Sequence, residues 1–416
     1  MRTIIYTCPY VPAEWIAAHG LRAERLLLDR TDSTFSAART EGVCPYVRSF
    51  LCAAMKHVEA AGVVVATVCD QMRRAFDVLV RQSEVPAFLM NVPNTWQSLA
   101  AQKLYLDELK RLSLFLIRLG GRAPCDEVLA ETMLRYDDAR KTVLAARPYL
   151  SAGRYAEMIA SFGCHGPGEI VRECVRSGMG IPSTSSGRAL PVSSSGVSPA
   201  RNDELQGQDG PATHGQDAQA TASRLRTHTL SRRVCKTPFF AHAEQGEQRV
   251  QQACPELVEW VAHPTKLTGG VPLAMVGGPL MRQDFELFDM IEQSGGRIVL
   301  DATETGERGM CAPFDRRRLR DEPLMELAEA YFSSIQDASR RPNSELYKWL
   351  KRELSGRGVQ GIIFRRYVWC DIWHAELGRL KDWAALPVLD VDTAGDNDTD
   401  HHRTANRIRA FLEMLQ

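Results

Sequence analysis

The 416-residue sequence has no surplus of either charge: Lys plus Arg and Asp plus Glu number 51 each. A balanced surface leaves no electrostatic footprint for nucleic acid or an acidic membrane, and neither is an expected partner. No stretch approaches the roughly twenty apolar residues that a membrane-spanning helix needs. The opening, MRTIIYTCPYVPAEW, has no useful apolar run before Pro9 and Pro12. No signal peptide is read there, and the expected compartment is the cytoplasm. The pattern G-x-x-x-x-G-K-[ST] is missing, and Gly-Gly-Pro-Leu at 277–280 lacks the G-x-G-x-x-G spacing. Neither an ATPase site of its own nor a nicotinamide cofactor is therefore expected.

What is present is an alternation of strand and helix signals. RTIIYT (2–7) and RAERLLLD (22–29) read as strands around a helix, PAEWIAAHG, with Pro near its start and Gly after its end. GVVVAT (62–67) is a β-branched apolar run of the buried parallel-sheet kind, followed by an amphipathic helix. PAFLMNVP (86–93) is another strand, and two long helices follow over 97–121 and 125–147. The style resumes at GGVPLAMVGGPL (269–280), with strands in RIVLDATETG, VQGIIFRRYVWC and LPVLDVD, and a closing helix, HHRTANRIRAFLEML. The expected fold class is α/β, two doubly wound parallel-sheet domains with helical additions. The expected boundaries are an N-terminal α/β domain over 1–96, a helical segment over 97–180 and a C-terminal α/β domain over 255–416. Between them, 181–254 is rich in Ser, Gly and Gln and short of large apolar residues, with TSSG and SSSG inside ten positions. Such a composition buries too little surface to offset ordering entropy, and this insertion is expected to be disordered.

Cysteine is generous, eleven in all. In a reducing compartment these are not a disulfide framework, and most are small buried hydrophobes. Cys235 and Cys254, in or beside the insertion, are set aside. Cys69 follows the strand GVVVAT and Cys370 follows GIIFRRYVW, while Cys44 precedes a helix in GVCPYVRSF. They are too far apart for a compact CxxC knuckle. Ligands of open α/β sheets collect beyond the carboxyl ends of strands, so these three are a converging set. Three thiolates with an open fourth position suit an iron–sulfur cluster better than a closed four-cysteine zinc site.

Taken in order, YTCPYVPAEWIAAHGL, GVCPYVRSF, TVCDQMRRAFDVL, VPAFLMNVPNT, MVGGPL, VLDATETGER, VQGIIFRRYVWCDIWHAEL and HRTANRIRAFLEML resemble the 2-hydroxyacyl-CoA dehydratase family. That family includes benzoyl-CoA reductase subunits and double-cubane-cluster reductases. Cys44 and Cys370 lie 326 positions apart, about 252 once the insertion is set aside, within the family's range. The resemblance implies two flavodoxin- or Rossmann-like domains. It also implies a [4Fe–4S] cluster on Cys44, Cys69 and Cys370, with Cys8 beside the site as a possible further ligand. Double-cubane members carry extra cysteines around the segments that read here as LDATETG and SRRPNSE. This chain has none there and Cys311 lies too far on, so the single cluster is favoured.

The implied reaction eliminates water from a 2-hydroxyacyl-CoA. One electron added to the thioester carbonyl gives a ketyl radical, which expels the neighbouring hydroxyl and acidifies the β-hydrogen. The implied partners are a second homologous subunit, or a second copy of this chain, and an ATP-dependent activator with its own cluster. Reduction of an aromatic acyl-CoA, or a non-catalytic electron relay, are the alternatives. Glu14 matches the family's loop glutamate and is the expected catalytic residue, acting on the leaving hydroxyl or a proton; a first-turn glutamate favoured by the helix dipole is the structural alternative. Arg308 is read as a surface residue or a coenzyme A phosphate contact, and His401 and His402 as solvated.

Overall fold

GVVVA becomes a strand because five consecutive apolar residues, three of them β-branched, suit a sheet covered on both faces. In the computed structural model, which describes residues 1–30, 42–168, 268–393 and 399–416, that run is one of the two central strands of a four-stranded parallel sheet. The strands are β1 (Thr3–Tyr6), β2 (Arg22–Arg25), β3 (Gly62–Ala66) and β4 (Ala87–Met90), in the order β2-β1-β3-β4. Alternate side chains go to opposite layers: Ile4, Tyr6, Val64 and Ala66 to one, Ile5, Val63 and Val65 to the other. All are nearly inaccessible to solvent.

A second parallel sheet repeats the scheme with β5 (Val271–Gly277), β6 (Gly296–Ala302), β7 (Gly361–Tyr367) and β8 (Val388–Thr393), in the order β6-β5-β7-β8. Leu273, Met275 and Ile363 pack on one face, and Ala274, Val276, Ile362 and Phe364 on the other. Both sheets therefore reverse direction between their two central strands, β1 and β3 in one, β5 and β7 in the other. That is the place where doubly wound sheets leave a crevice for ligands. The expected α/β class with two parallel sheets is what the chain adopts.

The helices that matter to the crevices are α1 (Ala13–Ala18), α2 (Pro45–Lys56) and α3 (Asp70–Gln82). The long helices are α4 (Leu99–Arg118) and α5 (Asp126–Ala145), with α6 (Ala152–His165) after them. The later chain adds α7 (Glu286–Gln293), α8 (Pro323–Ser334), α9 (Ser344–Gly356), α10 (Asp371–Trp383) and α11 (Thr399–Leu415). The described residues fall in one compact unit, and the core beneath the first sheet runs on to Met281 and Tyr367 of the second half. The insertion expected over 181–254, with Cys235 and Cys254, lies outside the described residues.

The two central strands of the second sheet approach closely at Gly277. A Cβ there would run into the carbonyl oxygen of Arg365 on β7, while the Gly277 carbonyl already accepts a hydrogen bond from Arg308. Gly277→Ala is expected to cost about 3 kcal/mol, in the manner of an overpacked core. The check is the urea midpoint, and a midpoint equal to wild type would show that the strands can part without cost.

Candidate functional site

Of the described helices that begin at cysteines, α5 starts at Cys125, away from the crevices, and three start beside them. Cys44 immediately precedes α2, Cys69 precedes α3 and Cys370 precedes α10. Pro45 at the first position of α2 has no N–H to lose there, which fixes the start of the helix at Cys44. Cys69 and Cys370 each stand three residues past the end of a central strand, and each is followed by Asp in the first helical turn.

These residues line one cavity of about 170 Å³, together with Cys8, Thr7, Glu304 and Asp337. Its wall holds residues that follow β1, β3, β5 and β7, so the crevices of the two sheets open onto the same space. Val68, Met72, Ile372 and Trp373 make much of the remainder apolar. Cys8 and Cys44 are buried, and Cys69 and Cys370 partly so.

The thiols are not alike. Cys44 and Cys370 hydrogen-bond to each other; that bond, and then burial, push Cys44 upward, while the same bond holds Cys370 below the ordinary thiol value. Burial raises Cys69 to about 12 against the pull of the Met72 backbone N–H, which donates to its sulfur at 3.4 Å. Burial also raises Cys8. The positive ends of three helix dipoles meet at these sulfurs, so negative charge on them is favoured once something compensates for burial.

Of the carboxyl groups that line the cavity, the buried pair Glu304 and Asp337 are driven apart. Asp337 is buried, which works against its charge, yet Arg308 at 2.6 Å and the Ser339 backbone N–H at 2.8 Å hold it below the usual carboxylate range. Glu304 is pushed up to about 7, first by burial and then by Asp337. Its nearest cation, Arg25, lies 3.7 Å from the carboxylate and spends its guanidinium on the Thr7 and Glu304 backbone carbonyls. One carboxyl that stays charged beside one that readily carries a proton is the arrangement from which acid–base roles are assigned.

Sequence reading placed the three cysteines and Cys8, and the structure brings all four to the cavity. It does not bring Glu14 there. Glu14 is wholly buried, taking a hydrogen bond from Arg140 at 2.5 Å and another from the Tyr331 hydroxyl. The first-turn position expected for it is correct, but its partners come from α5 and α8. Arg308 is likewise neither exposed nor free for a phosphate. It is buried, bonds the carbonyls of Ala302, Gly277 and Gln336 as well as Asp337, and lies over the Trp373 ring at 4.9 Å. It fastens the ends of β5 and β6 to the cavity wall. His401 is exposed and meets Glu286 at 3.1 Å, and His402 is exposed. Glu304 and Gln71 were missed as residues: DATETGER (301–308) resembles a family segment near the substrate but was read through Arg308, and nothing in CDQM marks Gln71 until Trp369 is folded against it.

Among the described residues, no three His, Cys, Asp or Glu side chains could hold a single metal ion, and no helix is long and apolar enough to cross a membrane. The fold and this site define an α/β protein of two parallel sheets that pool their switch-point crevices into one thiol-lined cavity. The sequence matches the family described as 2-hydroxyglutaryl-CoA dehydratase, D-component, over residues 8–162 and 216–415, and the chain belongs to that family. It is thus a dehydratase-type subunit of a complex with partner subunits. The match breaks over 163–215, which overlaps only the first part of the 181–254 insertion. No curated protein matched the chain.

Proposed function

We propose that the chain is the iron–sulfur subunit of an enzyme that eliminates water from a 2-hydroxyacyl-CoA, with a [4Fe–4S] cluster on Cys44, Cys69 and Cys370. The observation that carries this reading is the convergence of three helix-starting cysteines, from three separate connections, on one cavity. The donor set fits. Thiolates suit iron–sulfur clusters, and the cysteines of a four-iron cube bind separate irons, so they need not crowd like the ligands of one ion, about 2.3 Å from a zinc. Cys8 is the sulfur available beside the three.

When bound, such a group supplies one electron to the thioester carbonyl and takes it back once the hydroxyl and a β-proton have left, so the net change is loss of water. The chain's own residues serve the proton side. Glu304, protonated near neutrality, hands its proton to the departing hydroxyl oxygen and, as the carboxylate so formed, takes up the β-proton, so it ends as it began. Asp337, held ionised by Arg308, keeps that proton on Glu304 until it is needed. Trp373, Ile372 and Val68 limit water around the reacting atoms. The partners this reading requires are an acyl-CoA substrate, a second similarly folded subunit and an ATP-dependent activator with its own cluster.

The test is an anaerobic assay of the complex with activator, ATP and reductant against a panel of 2-hydroxyacyl-CoA thioesters. At least one thioester is expected to yield its enoyl-CoA. A cluster that reduces normally while no thioester loses water would instead make this chain an electron relay. Turnover of aromatic acyl-CoA alone would move it to the reductases.

A further inference from the structure

Gln71 lies two residues past Cys69 on α3, and its side-chain amide spans the other two cysteine segments. Its Oε1 accepts the backbone N–H of Cys44 at 2.6 Å, and its Nε2 donates to the carbonyl of Trp369, the residue before Cys370, at 2.8 Å. The amide can face only one way, because a backbone N–H needs an acceptor and a carbonyl needs a donor. One side chain thereby joins residues separated by 27 and 298 positions of sequence. Its second partner is unusual. Trp369 is the one non-glycine residue in the left-handed region among the described residues, with φ of 67°. Its indole is 60% exposed, so side-chain packing does not explain that backbone. The turn aims Cys370 into the cavity, and the Gln71 amide bonds the peptide carbonyl at its apex.

We propose that Gln71 is the positioning residue of the thiol site, setting the separation of Cys44, Cys69 and Cys370 by tying their three helix starts together. The inference rests on the iron–sulfur reading above, but it concerns the protein's own geometry and holds in the metal-free state. In this role the Gln71 side chain bonds two backbone groups, and its backbone N–H, which reaches the Cys69 sulfur, is common to every variant. Losing a partner that orients metal ligands lowers affinity by about 10- to 100-fold in comparable sites.

The experiment uses full-length protein and two readouts. The first is capture of phenylarsine oxide by metal-free protein, in which trivalent arsenic forms two As–S bonds to neighbouring thiols and releases water. The second is the resistance of the reconstituted cluster to a chelator. Gln71→Ala is expected to weaken arsenical capture and to speed iron loss by tenfold or more, at a thermal midpoint close to wild type. Gln71→Glu keeps the acceptor for Cys44 and loses the donor to Trp369, so it remains folded and is expected to fall between the two. Wild-type capture and iron retention in both variants would overturn the proposal, as would a lowered midpoint with capture unchanged. A distinct result, tight arsenical capture in wild type with no iron bound after reconstitution, would sink the cluster reading while leaving the role of Gln71 intact.

Discussion

Cys69→Ala protein, reconstituted anaerobically with iron and sulfide, is expected to retain no cluster. Wild type should hold about four of each per chain, with the broad absorption near 400 nm of thiolate-bound iron. The expectation is all-or-none because a cluster on three protein thiolates loses a third of its attachment with one sulfur. The remaining two are the hydrogen-bonded Cys44–Cys370 pair, and Cys69 is the sulfur that α3 adds to them. The same loss is expected for Cys370→Ala. Cys235→Ala, at a cysteine that sequence composition set aside, is expected to load fully. Iron-free wild type after reconstitution, or full iron in Cys69→Ala, would end the assignment of these cysteines.

The second large effect separates two glutamates. Glu14→Ala is expected to destabilise the fold by about 3–5 kcal/mol, since it leaves Arg140 and the Tyr331 hydroxyl buried with their main partner gone. Asp137 at 3.2 Å compensates only in part. Glu304→Gln is expected to fold and to load iron normally, yet turn over about 10²- to 10⁴-fold more slowly, the usual range for loss of a positioned acid or base. Denaturant midpoints, iron content and turnover measured side by side decide the matter. A Glu14→Ala protein of normal stability that binds iron and fails only in turnover would return the catalytic role to Glu14.

That contrast shows what the sequence disclosed and where it stopped. The buried strands were legible because Val63, Val64, Val65, Ile362, Ile363 and Phe364 sit in short apolar runs, a local signal that packing reinforces. Cys69 and Cys370 were legible for a related reason, as a cysteine just past such a run stands where α/β sheets hold ligands. The fate of Glu14 was not legible, because its surroundings depend on Arg140 and Tyr331, 126 and 317 positions away. Glu304 was hidden in the same way. Its proton affinity is set by desolvation and by Asp337, and its cation, Arg25, comes from β2 at the other end of the chain. The helix α6 was absorbed into a helical segment without its own limits, although Ser151 caps its start and Gly166 and Pro167 mark its end.

The two sheets share one strand order, and Cys69 and Cys370 occupy matching places, each in a Cys-Asp pair that starts the helix after the third strand. The cavity thus takes one Cys-Asp thiol from each half. The symmetry fails at the preceding connection. Between β2 and β3 that connection carries Cys44, whereas between β6 and β7 it carries Glu304. Two equal half-sites would have no front or back. A carboxyl on one side where the other side has a sulfur gives the cavity a polarity: Cys8, Cys44 and Cys69 come from the first half, Cys370 and Glu304 from the second. On the function proposed above, a substrate in this cavity would meet most of the thiols on one side and the proton carrier on the other, and could react in one orientation only.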